Sequence, residues 1–127
     1  MNISDITQGT EYENLSLFSD AGIRHLEQRL IEREGKKGKD VYVSCVVRNK
    51  EIKLTPEEVV RQLYLDVLTE ELGYPVSRLA VEYEVTFGRE KKRADIVVFD
   101  KEKPTAPYII VEVKKPKLKD GKERTIY

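Results

Sequence analysis

Three charged residues stand in two strongly apolar segments of the 127-residue sequence. Asp95 is the second residue of the run "ADIVVFD", residues 94–100. Glu112 lies inside "YIIVEVK", residues 108–114, and Lys114 ends it. Buried carboxylate and ammonium groups are costly unless they are paired or bind a metal. The pattern therefore predicts either a structural ion pair or a site that performs chemistry on these two strands.

The spacing of these residues suits the hydrolysis of phosphodiesters. Side chains alternate across a strand, so Glu112 and Lys114 share one face, and a neighbouring strand would bring Asp95 to the same region. Two carboxylates form a hard oxygen site for Mg²⁺, with Mn²⁺ as a substitute, and the backbone carbonyl of Val113 offers a third ligand. Lys114 would then orient or deprotonate a metal-bound water and offset the charge that develops on the phosphate.

The tripeptide Glu-x-Lys is a weak indication by itself, because 36% of the residues are charged and the same pattern recurs elsewhere. It also occurs at Glu34–Lys36, Glu51–Lys53 and Glu90–Lys92. Only the copy at Glu112–Lys114 lies in an apolar strand that follows a second apolar strand with an acid. An ion pair of Lys114 with Asp95 or Glu112, without any chemistry, is the alternative interpretation.

Composition limits the classes of function. The length suits one domain with its own core, and 23 basic against 23 acidic residues give no net charge that would indicate a polyanionic partner. The single cysteine excludes an internal disulfide and a cysteine metal knuckle. No run is apolar and long enough to span a membrane, and no targeting signal is visible. We therefore expect a cytoplasmic protein with no membrane partner.

The elements that would position the charged residues follow from the apolar spacing. It predicts helices and strands in this order: a helix over 20–33, a strand over 41–47, a short strand over 52–54, a helix over 55–75, and strands over 79–87, 94–100 and 108–114. In the 79–87 strand, Val81, Tyr83 and Val85 should face inward. The order predicts an α/β (α+β) fold with a mixed β-sheet flanked by helices. The apolar character of the last two strands predicts that both of their faces are covered.

Three segments resemble a known family in the family's own order: "LTPEEVVRQLYLDVLTEELGYP", "VEYEVTFGREKKRADIVVFD" and "YIIVEVKKPKLKDGKE". They resemble the N-terminal nuclease domain of type I restriction enzyme R subunits, a domain also found joined to adenine-specific DNA methyltransferases. The resemblance runs from about residue 40 to residue 123. It implies a single nuclease-like domain over 1–127, with an N-terminal helical region over 1–40 and a restriction-endonuclease-like PD-(D/E)xK core over 41–127.

The resemblance also implies roles for individual residues. Asp95, Glu112 and Lys114 take the positions of the catalytic motif, and Ala94 stands where the motif's name has proline. The implied function is a Mg²⁺-dependent DNA endonuclease module of a restriction–modification enzyme. Its partners would be double-stranded DNA and the recognition, methylation and motor subunits or domains of a restriction system.

The helix that begins "TPEEVVRQ" is expected to supply a further acid, as the family fold does. We select Glu58 over Glu57 for this role. Thr55 and Glu58 also have the spacing of a helix capping box, and both roles can hold at once. Arg61 and Gln62 would support Glu58, contact DNA, or simply form helix surface.

Basic residues flank the expected site, and a solvated surface is the alternative to a phosphate contact. They cluster before Asp95, at Arg89, Lys91, Lys92 and Arg93, and again after residue 113. We select Arg93 and Lys115 as DNA contacts.

One departure from the family concerns a Gln-x-x-x-Tyr element that is expected after the catalytic lysine. No glutamine follows Gln62, and the sequence ends at Tyr127. We therefore expect a core that is incomplete at its C-terminus, completed either by a longer enzyme or by a partner chain, and an open sheet edge would favour a homodimer. The alternative function is a catalytically silent module that binds DNA or another subunit on the same scaffold.

Overall fold

Short helices and two β-sheets make up the fold, in a computed structural model that describes residues 3–9 and 18–113. The helices are α1 (Ser4–Thr7), α2 (Asp20–Glu27) and α3 (Pro56–Asp66), with a π-helical turn at Val67–Glu71 and a 3₁₀ turn at Val76–Arg78. The strands are β1 (Leu30–Gly35), β2 (Gly38–Cys45), β3 (Lys50–Lys53), β4 (Leu79–Phe87), β5 (Glu90–Phe99) and β6 (Pro107–Val111).

The strands form two antiparallel sheets, and α3 packs on both of them. One sheet has the order β1-β2-β3 and the other the order β4-β5-β6. Val60 and Leu63 of α3 share a buried cluster with Val43 of β2. Leu65 of α3 packs in a second cluster with Ile96 of β5. The α+β class expected from the sequence is confirmed, with helix α3 as the element common to both cores.

Helix α3 begins as its sequence predicts. The Oγ1 of Thr55 accepts a hydrogen bond of 3.1 Å from the N–H of Glu58, and Pro56 occupies the first turn, where no N–H donor is needed. The α-helix ends earlier than expected, at Asp66 rather than near residue 75. The N–H of Leu72 donates to the carbonyl of Val67, which widens this turn into a π-helix.

The predicted helix over 20–33 is wrong beyond Glu27. Residues Leu30–Gly35 form strand β1, which pairs antiparallel with β2 from Leu30 opposite Val43 to Gly35 opposite Gly38. Leu30 and Ile31 fit the spacing of a helical stripe, but pairing with β2 satisfies their backbone groups and carries them to the core. The N-terminal 40 residues are therefore not a purely helical region.

The remaining strands lie close to the predicted positions. Strand β4 has the predicted bounds, whereas β5 begins four residues earlier and β6 ends at Val111. The expectation that both faces of the last two strands are covered holds for Val97 and Val98 of β5, which are fully buried. It is wrong for β6, where Tyr108 and Ile110 are exposed because β6 is an edge strand in the described part of the chain.

Strand β4 is irregular at Glu82, which lies opposite Asp95. The backbone of Glu82 has a φ of 54°, and the regular pairing with β5 omits the Glu82–Asp95 position. Before this point Val81 packs in the cluster beneath α3. After it, the ring of Tyr83 contacts Phe99, with 5.1 Å between ring centroids, on the other face of the sheet. The predicted inward orientation of Tyr83 is therefore wrong.

The same irregularity changes the alternation of side chains in β5. Asp95 and Ile96 are consecutive, yet Asp95 contacts α3 and Ile96 packs in the cluster that contains Leu65 of α3. Ala94 and Val97 pack together in a cluster on the opposite face. Both a core residue and a site residue of β5 therefore face the same helix.

No helix in residues 3–9 and 18–113 combines the length and the apolar content needed to cross a membrane.

Because Glu82 has a positive φ, its replacement by glycine should stabilise the protein. A side chain in this conformation costs about 1 kcal/mol, so Glu82→Gly should raise the free energy of unfolding by about that amount. Glu84 is the matched control, because it lies in the regular part of β4 and, like Glu82, has one ion pair of 3.8 Å. Glu84→Gly should lower the free energy of unfolding by about 0.5–1 kcal/mol. Urea unfolding of both variants measures whether the free energy of unfolding rises or falls in each. A loss of stability in both would contradict the positive φ at Glu82.

Candidate active site

Asp95 and Glu112 lie on neighbouring strands, as the sequence predicts. Strands β5 and β6 pair with Ile96 opposite Val111, and continuing this register by one residue sets Asp95 opposite Glu112. The N–H of Val113 donates a hydrogen bond of 2.6 Å to Oδ2 of Asp95. Val111 and Val113 both pack in the clusters beside α3, so the alternation of side chains directs Glu112 to the other face of the sheet, where its carboxylate contacts Lys92. Asp95 and Glu112 are therefore neighbours along the backbone, but their carboxylates face opposite sides of the sheet.

The guanidinium of Arg61 links helix α3 to the Asp95 carboxylate. Its Nη2 donates to Oδ1 of Asp95 at 2.5 Å and to Oε1 of Glu57 at 2.7 Å, and its Nη1 donates to Oε1 of Glu58 at 2.5 Å. Glu57 and Glu58 precede Arg61 by four and three residues, so the helical repeat places all three side chains on one face. One arginine therefore holds three carboxylates from two elements.

Glu58 is buried, with 3% of its surface exposed, and its carboxylate has donors on both oxygens. Besides Arg61, the Nη1 of Arg48 donates to Oε1 at 3.0 Å, and the Nε2 of Gln62 donates to Oε2 at 2.9 Å. These charged and amide donors offset the cost of removing the carboxylate from water. The backbone N–H of Glu58 donates to the Thr55 cap, whereas the described bonds of its carboxylate are to Arg61, Arg48 and Gln62 rather than back to Thr55. The catalytic role of Glu58 stays a prediction.

The electrostatic state of Arg61 is fixed by its surroundings. Burial of the guanidinium disfavours its charged form, but the hydrogen bond to Asp95 and the charge of Glu58 outweigh burial, so the pKa of Arg61 is raised above its ordinary value. Arg61 is therefore a stable cation among the acidic groups.

Glu112 differs from the other acids because its side chain is 39% exposed. Its only described ion pair is with Nζ of Lys92 at 3.7 Å, and Lys92 is itself well exposed. Such a pair contributes little to stability. Glu112 is therefore open to solvent, apart from the buried network around Arg61.

The structure brings together some of the residues that the sequence selected. Glu58 and Asp95 meet at Arg61, whereas Glu112 faces the other side of the sheet. Val113 contributes its N–H to Asp95 here rather than a carbonyl to a ligand. Arg93 is exposed on β5, two residues before Asp95. Lys114 and Lys115 lie outside the described residues.

Arg61 and Gln62 are placed differently from the expected DNA contact or helix surface. Their exposed fractions are 4% and 1%, so they have no surface to offer to DNA in this structure. Their contacts are those of residues that support Glu58, which was the other expected role. The apolar spacing of α3 could not reveal this, because a buried polar residue is visible only once its partners are known.

Two participants were not foreseen from the sequence. Arg48 follows β2 in a turn and reaches Glu58, and its Nη2 lies 3.8 Å from the carboxylate of Glu82. Glu57 had been set aside in favour of Glu58, yet both contact Arg61. A turn residue such as Arg48 carries no local signal for the site, because only the packing of β2 against α3 brings it there.

The donor types at this site fit a hard divalent cation in part. Asp95 and Glu112 offer the carboxylate oxygens that Mg²⁺ and Mn²⁺ prefer. Within residues 3–9 and 18–113, however, no group of three or more histidine, cysteine, aspartate or glutamate side chains is arranged to hold a metal ion. Arg61 also occupies Oδ1 of Asp95, so a cation bound there would compete with the guanidinium.

Comparison with known proteins gives one match. A family model described as the type I restriction enzyme R protein N terminus matches residues 56–126, which is more than half of the chain. The matched segment begins with the first residue of α3 and includes Asp95 and Glu112. No match was found among curated proteins or among solved structures.

The shared guanidinium predicts a large loss of stability when Arg61 is replaced. Arg61→Met leaves Glu57 and Asp95 without their charged partner and weakens the support of Glu58, which should cost about 3–5 kcal/mol of unfolding free energy. Arg61→Lys should lose less, because an ammonium keeps the charge but not the planar fork of donors.

Arg33 supplies the control for this experiment. It makes two hydrogen bonds to Glu51, of 2.9 and 2.7 Å, but both side chains are more than a third exposed. Arg33→Met should therefore cost less than about 1 kcal/mol. Urea unfolding of the three variants gives the comparison, and equal losses for Arg61→Met and Arg33→Met would show that the buried network does not stabilise the fold.

Proposed function

Because this chain belongs to the family of type I restriction enzyme R protein N-terminal domains, we propose that it is a Mg²⁺-dependent endonuclease module that hydrolyses phosphodiester bonds of double-stranded DNA. The family membership confirms the resemblance expected from the sequence. The observation that supports the proposed activity is that Arg61 joins Asp95 of β5 to Glu57 and Glu58 of α3, so that acids from two elements share one site.

In the proposed mechanism, Asp95 and Glu112 would hold the cation. Bound Mg²⁺ would polarise the scissile phosphate and lower the pKa of an attacking water. To share a cation, Glu112 would have to turn from Lys92 toward Asp95, and Asp95 would have to share its Oδ1 with Arg61. Lys114, assigned by the family motif, would orient the water and offset negative charge on the phosphate.

Arg61 acts in this proposal as a positioning residue. It fixes one oxygen of Asp95 while the N–H of Val113 fixes the other, so the carboxylate is held from two sides before any substrate arrives. Arg48 and Gln62 hold Glu58 in the same way. Preorganisation of this kind reduces the reorganisation that a reaction would otherwise require.

Other tasks of a restriction system are assigned to other subunits or domains. The sequence contains no G-x-x-x-x-G-K-[ST] loop, so ATP-driven movement along DNA would come from a motor elsewhere. Sequence recognition and methylation would likewise belong to partner subunits or domains. A DNA substrate of this kind is consistent with a cytoplasmic location, and a homodimer remains a prediction from the outer edges of β4 and β6.

A second candidate function is a catalytically silent module that binds DNA or another subunit. The observation that favours it is that both oxygens of Asp95 already accept hydrogen bonds from the protein, one from Arg61 and one from Val113. In this case the acids would serve only to dock α3 against β5. The two candidates differ in whether Asp95 binds a divalent cation.

The proposed activity predicts that the chain nicks supercoiled plasmid DNA in the presence of Mg²⁺ and not in EDTA. Asp95→Asn should lower the rate by on the order of 10²–10³-fold, because it removes a charge that holds the cation. Asp100→Asn is the matched control: this aspartate follows the same strand, but its Oδ1 accepts from the N–H groups of Glu102 and Lys103 in a loop. Its replacement should leave the rate unchanged.

Calorimetric titration of Mn²⁺ separates the two candidates. Binding by the unaltered chain that is lost in Asp95→Asn supports the nuclease. Absence of both cleavage and cation binding, with DNA still bound in EDTA, supports the silent module and contradicts the nuclease.

A further inference from the structure

The outer half of the β4–β5 hairpin, residues 86–93, is separate from both cores, and we name it the basic ribbon. All eight of its residues are exposed, although the neighbouring Val85 and Ala94 are buried. The turn is made at Gly88, whose φ of 61° suits glycine. The two strands continue their pairing through Thr86 opposite Lys91 to Phe87 opposite Glu90. These residues therefore form a regular two-stranded ribbon that is exposed to solvent and does not contribute to the hydrophobic clusters.

The basic ribbon concentrates positive charge in a chain that has no net charge. It contains Arg89, Lys91, Lys92 and Arg93 with Glu90 as its one acid, which gives a formal charge of +3. Two of these cations have distant, exposed partners: Lys91 lies 3.8 Å from Glu84, and Lys92 lies 3.7 Å from Glu112. Exposed pairs of this kind are weak and easily exchanged.

Arg89 and Arg93 have no ion pair or hydrogen bond through their side chains within residues 3–9 and 18–113. Arginine can bind phosphate with two parallel hydrogen bonds, so these side chains suit a polyanionic partner. Phe87, which is 51% exposed beside the turn, adds an apolar surface that could contact a thymine methyl group.

The basic ribbon leads directly into the candidate active site. Lys91 and Arg93 precede Asp95 by four and two residues on β5, so regular alternation places them on the same face of the strand. The distances along the strand are about 14 and 7 Å. A nucleic acid that contacts these two side chains would therefore continue to the carboxylate.

We propose that the basic ribbon lies in the major groove of double-stranded DNA and brings the adjacent phosphodiester backbone to Asp95. The major groove is about 12 Å wide and admits a two-stranded β-ribbon, whereas the minor groove, about 6 Å wide, admits one only when the DNA is strongly deformed. The positive charge of the ribbon complements the phosphates on either side of the groove. This inference rests on the proposed function only in taking DNA as the partner, and it adds the surface and the groove.

The test is the salt dependence of binding to a duplex of about 30 base pairs, measured by fluorescence anisotropy in EDTA so that no cleavage occurs. The ribbon variant is Arg89→Gln with Lys91→Gln, which leaves Lys92 and its contact with Glu112 intact. Each lost phosphate contact removes about 0.9 from the slope of log affinity against log salt, so the slope should fall by about 2.

The matched control removes the same charge from the other hairpin. Lys36 and Lys37 are exposed in the turn between β1 and β2, so Lys36→Gln with Lys37→Gln should leave the slope unchanged. Thermal unfolding of both double variants checks that the fold is retained, as expected for exposed positions.

A second arm tests the groove. Methylation of guanine N7 blocks the major groove, and methylation of adenine N3 blocks the minor groove. Guanine methylation of the duplex should weaken binding by the unaltered chain more than adenine methylation does, and this difference should disappear in the ribbon variant.

The outcomes separate this inference from the proposed activity. The proposed role of the basic ribbon would be overturned if the ribbon variant and the unaltered chain had equal slopes. It would also be overturned if the unaltered chain did not bind DNA, even if plasmid cleavage is observed. A reduced slope without any Mg²⁺-dependent cleavage would support the basic ribbon and contradict the nuclease. A stronger effect of adenine N3 methylation would overturn the assignment to the major groove.

Discussion

The interaction on which the site depends is the contact of one guanidinium with three carboxylates. Arg61 joins Glu57 and Glu58 of α3 to Asp95 of β5, and it does so in a largely buried position. An acid buried without a partner is strongly unfavourable, so the three acids can lie this close only while Arg61 is between them. The same contact fixes how the sheet β4-β5-β6 meets the helix, and it orients the carboxylate on which the proposed chemistry depends.

Local irregularity in the sheet makes this contact possible. A regular strand would direct Asp95 and Ile96 to opposite faces, and the apolar core beneath α3 requires Ile96. The positive φ of Glu82 and the missing pair opposite Asp95 allow both side chains to face the helix. Backbone strain of this type tends to be found at functional sites, where surrounding contacts hold it in place. Here Arg61 and the N–H of Val113 supply those contacts.

The sequence predicts the parts of this architecture that depend on local pattern. Thr55 and Pro56 mark the start of α3, and the apolar segments predict that β5 and β6 are strands, because caps and strand periodicity are encoded by neighbouring residues. The sequence does not predict the features that depend on tertiary contacts. Leu30 and Ile31 fit a helix or a strand equally well, and pairing with β2 selects the strand. The burial of Gln62 and the participation of Arg48 depend on elements that are distant in sequence, so no local pattern could give them.

The charges along β5 change sign within a few residues, and this links the basic ribbon to the site. Lys91 and Arg93 would attract phosphates. The group of Asp95, Glu57 and Glu58 instead presents more negative than positive charge, because the cations in its described ion pairs are Arg61 and Arg48. A DNA backbone drawn along the strand would therefore meet repulsion where the carboxylates begin. A divalent cation bound at that boundary would remove the repulsion and add the Lewis acid that hydrolysis needs. This electrostatic argument supports the proposed cation independently of the catalytic one.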